Sequence, residues 1–98
     1  MKPDGLFKGP FYKKVVLAYF ISMQDKPISI TRISEELGWS RRTVEENVKN
    51  LSLIGITADR VGAKKTGGYH ILDWGPIKRS WVKDRYSDII ECYRVSQN

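Results

Sequence analysis

The sequence holds a single cysteine, Cys92, and a single histidine, His70. A lone thiol cannot close an internal disulfide, which excludes the stapled framework of a small secreted domain and favours a reducing, cytoplasmic setting. The same scarcity excludes a zinc site built from His and Cys ligands. No apolar run approaches a membrane span, and the opening MKPDGLFKGP lacks the apolar stretch of a signal peptide. There is no Gly-rich phosphate loop, no metal ligand set, no placed acid–base pair, no internal repeat and no low-complexity segment. An enzyme, a metal, a cofactor and a small-molecule ligand are therefore not expected.

Positive charge is in surplus. Lys and Arg outnumber Asp and Glu by 17 to 11 over 98 residues, a formal charge of +6. Such a balance favours a polyanionic partner, because cations that neutralise phosphates release condensed counterions. The length suits one small domain with one core, and the 41% hydrophobic content is that of an ordinary globular chain.

Pattern divides the chain into a flexible arm over 1–10, marked by Pro3, Gly5, Gly9 and Pro10, a domain over 11–75 and a final helix over 76–98. From Phe11 to Gln24, Tyr12, Val15, Val16, Tyr19, Phe20 and Met23 recur at helical spacing, while Leu17, Ala18 and Ile21 make the opposite side apolar too. A helix apolar nearly all round must be buried on more than one face. Asp25-Lys26-Pro27 ends it, and Ile28 to Ile30 reads as a very short strand. Ser29 or Thr31 then caps a helix that turns Ile33 and Leu37 inward and stops at Gly38. Trp39 fills the turn, Ser40 caps a third helix, and Val44, Val48 and Leu51 form its inner face. Strand-like segments over 56–61 and 69–72 flank GAKKTGG, a hairpin with a basic tip. Asp73 is expected to cap the last helix, with Pro76 in its first turn and Val82, Tyr86, Ile89, Ile90 and Tyr93 in one stripe. The order predicts a mainly α fold with a small β-hairpin wing: a winged helix-turn-helix with an additional C-terminal helix.

The run ISEELGWSRRTVEENVKNLSLIGI resembles the helix-turn-helix core of bacterial winged-helix regulators of the MarR and ArsR sort. Ile33, Leu37, Gly38, Trp39, Ser40, Thr43, Val44, Leu51, Gly55 and Ile56 hold the pattern positions, and LDWG at 72–75 resembles the exit from the wing. The likeness covers about Thr31 to Gly75. Asn47, Glu45 and Glu46 depart from it. The resemblance implies a transcription factor, usually a homodimer on a palindromic site of double-stranded DNA.

On that reading, residues 40–52 form a recognition helix in the major groove. Arg41 and Arg42 suit guanine edges or phosphates, Ser40 and Thr43 suit phosphate oxygens, and Lys49 lies two turns on. The bland counterpart is a self-cancelling helix with i,i+4 pairs Arg41–Glu45, Arg42–Glu46 and Glu45–Lys49, each worth roughly 0.2–0.5 kcal/mol when exposed. A glutamate can also accept from cytosine N4. Arg60, Lys64 and Lys65 on the wing suit the backbone or minor groove. His70, a single histidine near no obvious acid or nucleophile, suggests neither catalysis nor a pH switch and reads as a plain strand side chain. Leu17, Ile21, Trp81, Tyr86, Ile89 and Tyr93 are dimer-interface candidates, unless the last helix packs on the first within one chain. An alternative function is a protein-interaction module that docks a partner through the first and last helices. RNA binding is less well supported, for want of a single-strand module.

Overall fold

The computed structural model describes residues 9–63 and 67–94. Four helices and one antiparallel hairpin follow in the order α1 (Pro10–Ser22), α2 (Ile30–Leu37), α3 (Arg41–Lys49), a 3-10 turn (Asn50–Ile54), β1 (Thr57–Val61), β2 (Gly68–Asp73) and α4 (Arg79–Arg94). This is the expected mainly α architecture with its hairpin and extra C-terminal helix.

Helix α1 is the hub. Val15, Val16, Leu17 and Ala18 are fully buried and Tyr19 nearly so, an unbroken run that no one-sided helix would show. Its faces divide among three neighbours. Val16, Leu17 and Ile21 join Ile33, Leu37, Val44 and Val48 of α2 and α3, together with Ile89 and Ile90 of α4. Val15 and Tyr19 meet Val82, with Trp74 and Ile77 alongside. Ala18 meets Leu51 and Ile56 below the hairpin. Helix α4 therefore packs on α1 within the chain. The expected inward Met23 is 43% exposed, because α1 ends at Ser22 and Met23 already belongs to the turn.

Several end signals act where expected. Ser29 accepts from the Arg32 N–H and starts α2. Gly38 closes it at φ 74, a left-handed backbone that favours glycine. Ser40 accepts from the Thr43 N–H and starts α3. Pro10, placed before the helix by the sequence reading, is the first residue of α1, where its fixed φ fits and its missing N–H goes unneeded, and residues 1–8 of the expected arm lie outside the described residues. The short strand shrinks to one residue: Ile28 pairs with Tyr69 through both backbone bonds, at 3.0 and 2.8 Å.

Asp73 does not cap α4. Its carboxylate accepts from the Gly75 N–H at 2.8 Å, turning the chain as it leaves β2, and the helix begins at Arg79. That first residue is stitched to the end of α1: Arg79 lies over the Tyr19 ring at 4.9 Å and donates to Ser22 Oγ at 3.2 Å. Gly75, at φ 60, lies so close to the Gly55 backbone that a Cβ there would collide with the Gly55 carbonyl, and Gly55 in turn abuts the Pro76 ring. The LDWG exit thus needs its glycine for both backbone angle and contact. Gly75→Ala is expected to lower stability by about 2–4 kcal/mol, from a left-handed alanine plus overpacking. Leu53→Ala, at a side chain 76% exposed, should change it by less than about 0.5 kcal/mol. Urea denaturation of both variants against the parent measures the contrast.

Candidate nucleic-acid interface

The turn between α2 and α3 decides where the arginines go. Trp39 is 6% exposed, and its carbonyl accepts from Ser34 Oγ at 2.5 Å. The indole packs edge-on against Tyr93 and carries the Lys13 ammonium 5.1 Å above its centroid. With the tryptophan anchored, Ser40 falls at the start of α3 and the next turn is thrust outward. Val44 and Val48 hold the helix to the core, leaving Arg41 and Arg42 exposed.

The two arginines part company. Arg42 pairs with Glu46 at 3.5 Å, with both side chains largely in water, so the pair is worth little. Arg41 turns toward the wing. There it lines a cleft of about 210 Å³ with Ile30, Thr31, Glu45, Arg60, Gly67 and Tyr69. A second hollow, of about 420 Å³, continues along the helix between Glu45, Val48, Lys49, Ala58 and Tyr69. Arg41, Glu45 and Lys49, spaced one turn apart, thus form the wing-facing edge of α3. Among the described residues, neither Arg41–Glu45 nor Glu45–Lys49 forms an ion pair; of the pairs expected from the sequence, Arg42–Glu46 is the one present.

Other expected contacts are already partly engaged. Ser40 Oγ accepts from the Thr43 N–H at 3.1 Å and shares a 2.8 Å hydroxyl contact with Thr43 Oγ1, so one of the two hydroxyl protons is spent inside the cap. Ser40 is therefore a structural residue first. Arg60 is exposed, and its guanidinium donates to the Gly62 and Ala63 carbonyls at 3.4 and 3.3 Å, holding the wing it was expected to extend. Lys64 and Lys65 lie outside the described residues. His70 does face an acid: Nε2 is 3.4 Å from Asp59 Oδ2, its register partner across the hairpin.

Thr31 and Tyr69 belong to the cleft without having been expected there. The backbone pairing of Ile28 with Tyr69 ties the start of α2 to the loop end of the hairpin, which carries Thr31 to the same opening as Arg41 and Arg60. The short apolar run at 28–30 is the sequence signal that holds this information, once its partner strand is known. Both helix starts then face one side, and a helix start presents unsatisfied N–H groups and partial positive charge to an anion.

The proposed dimer residues divide as well. Leu17 and Ile89 are fully buried and Ile21 is 1% exposed, so the chain's own core covers them. Tyr86 and Tyr93 are half-buried, and the Tyr93 hydroxyl donates to the Gly9 carbonyl at 2.9 Å. Trp81 remains at the surface, 36% exposed, with the Arg85 guanidinium 4.3 Å over its ring. No described helix is long and apolar enough to cross a membrane.

Comparison with known proteins bears on the fold. No curated protein sequence matches the chain. A crystal structure of a DUF2131 family protein from Shewanella amazonensis SB2B superposes with a TM-score of 0.77, covering 91% of each chain at 23% identity, a likeness of fold. The profile of the winged helix-turn-helix family matches residues 7–93. That span runs from the first helix through the wing to the end of α4, and the chain belongs to the winged helix-turn-helix family.

Proposed function

We propose that the protein is a sequence-specific double-stranded DNA-binding transcriptional regulator without chemistry of its own, acting in the cytoplasm of a bacterium as a homodimer. The observation that carries this reading is the cleft where the starts of α2 and α3 meet the loop end of the hairpin, with Arg41 and Arg60 on its walls. A duplex laid across it meets α3 end-on in the major groove, with the wing beside the backbone or the minor groove. Arg41 is the side chain best placed for a guanine edge, while Thr43 and Arg42 serve the flanking phosphates. Lys49 extends the same edge. Lys64 and Lys65 enter the reading through the sequence alone, as the cations of the wing tip.

A single module of this size gives limited specificity, and two half-sites related by a two-fold axis supply the remainder. Trp81, stacked under Arg85 on the outer side of α4, is the aromatic surface residue we assign to that contact. Tyr86 and Tyr93 reach it in part, whereas Leu17, Ile21 and Ile89 act behind it as the support of α4.

Binding to a selected duplex should weaken steeply with salt. Arg41→Ala should cost about 1–3 kcal/mol of specific binding. The double substitution Lys64→Ala, Lys65→Ala should lower the slope of log K against log salt by about 2. Fluorescence anisotropy at several salt concentrations measures both, and a protein that binds no duplex at low salt ends the proposal. Separately, sedimentation equilibrium should show a dimer that Trp81→Ala shifts toward monomer, while Leu17→Ala lowers the melting temperature instead. A monomeric parent at micromolar concentration refutes the dimer.

A further inference from the structure

We infer that Glu45 is the specificity-determining side chain of the duplex interface, and that it selects cytosine by accepting from the exocyclic N4 amine. The inference rests on the duplex-binding reading above and goes on to assign the base that is read.

The two adjacent glutamates of α3 are indistinguishable by type, and the structure separates them. Glu46 is engaged by Arg42, its partner one turn back. Glu45 stands in the cleft between helix and wing, on the wall shared by both hollows, with Arg41 on one side and Lys49 on the other. It is exposed, and among the described residues its carboxylate makes no hydrogen bond or ion pair, although cations lie one turn away in both directions and Arg60 lines the same cleft. Its carboxylate is an acceptor without a donor, set where a duplex enters.

Close to phosphates such a group is repelled, so it weakens binding to any sequence that offers it nothing. What offsets the repulsion is a donor on the groove floor. Cytosine presents N4–H₂ there with no acceptor beside it. Adenine presents N6–H₂ next to the N7 acceptor, which opposes a carboxylate, and guanine and thymine present acceptors. Cytosine is therefore the base whose edge matches Glu45. Arg41, one turn nearer the helix start, complements this choice, since guanine O6 and N7 accept a bidentate guanidinium. The pair reads donor and acceptor edges of G·C-containing steps, and the repulsion suppresses binding elsewhere.

The test is selection from a random duplex pool with the full chain, its Glu45→Gln and Glu45→Ala variants, and Glu46→Gln as control. Circular dichroism confirms that each is folded, as expected for solvent-exposed positions. The parent and Glu46→Gln should enrich the same cytosine. Replacing that cytosine should weaken the parent roughly 5- to 100-fold. Both Glu45 variants should lose that preference while binding random competitor duplex several-fold more tightly. An identical enriched motif in the parent and the Glu45 variants overturns the assignment, as does a parent that binds duplex without base preference; either leaves duplex binding itself standing. A parent that retains no duplex at all overturns the underlying reading, and the assignment with it.

Discussion

The enclosure of α1 is the constraint on which the rest of the molecule depends. A helix with Val15 through Ala18 entirely withdrawn from solvent must be covered from several directions at once, and each covering element is thereby fixed relative to the others. Helices α2 and α3 take one side, the hairpin base and the 3-10 turn another, and α4 the third. Each fully buried aliphatic side chain contributes about 1.5–3 kcal/mol, so no cover can leave without exposing a face of the hub. The geometry of the cleft follows. The wing is held to α1 through Ala58 and Ile71, which pack beside Ala18, and to the segment before α2 through the pairing of Ile28 with Tyr69, and these two ties set its spacing from α3.

A second clamp works at the opposite end of the hub. Trp39, in the helix-turn-helix turn, meets Tyr93 from the end of α4 and Lys13 from the first turns of α1. Lys13 also lies 5.8 Å from the Tyr93 ring. Burial pushes the Tyr93 phenol above its ordinary range, and Cys92 beside it adds to the effect. The hydroxyl is thus held as a neutral donor to the Gly9 carbonyl. The indole N–H of Trp39 is buried without a hydrogen-bond partner among the described residues, a cost of about 1–3 kcal/mol. Contacts to the ring from α1 and α4 act against that cost, and the result is a turn whose orientation depends on the C-terminal helix. In this chain α4 is part of the helix-turn-helix rather than an appendage.

Local chemistry was legible in the sequence and side-chain choice was not. Ser29, Gly38 and Ser40 mark helix ends because each solves a backbone problem within a few residues of itself, and the inward spacing of Val44 and Val48 needs only the helical period, whereas Leu51, expected on the same helix, is buried from the 3-10 turn that ends it at Lys49. The stripe on α4 was equally plain, yet an apolar stripe does not name its partner. The all-round burial of α1 answered that, by demanding a cover that the first three helices alone do not provide. Asp73 misled because a carboxylate before a helix and one before a glycine turn look alike until the distance to the helix is known. The divergence of Arg41 from Arg42 was out of reach for a different reason. A rotation of 100° per residue sends neighbours to different surroundings, and which of them meets the wing depends on the pairing of Ile28 with Tyr69 far along the chain.

That divergence also resolves the apparent conflict of charge on α3. A recognition surface has two tasks, drawing in a polyanion and choosing among sequences, and the same cation cannot be optimal for both. In the cleft, Arg41 and Arg60 are set against Glu45, while Arg60 is partly committed to the wing carbonyls. On the reading proposed above, a carboxylate set between these cations limits sequence-independent attraction, whereas a groove lined by cations alone would hold every sequence. On the same reading, the +6 of the whole chain acts over longer range, bringing a duplex to the surface without favouring one base pair over another. Glutamates beside arginines are contradictory only if the helix is asked to supply affinity. Where the rest of the chain supplies the attraction, the helix is left to refuse most of what arrives.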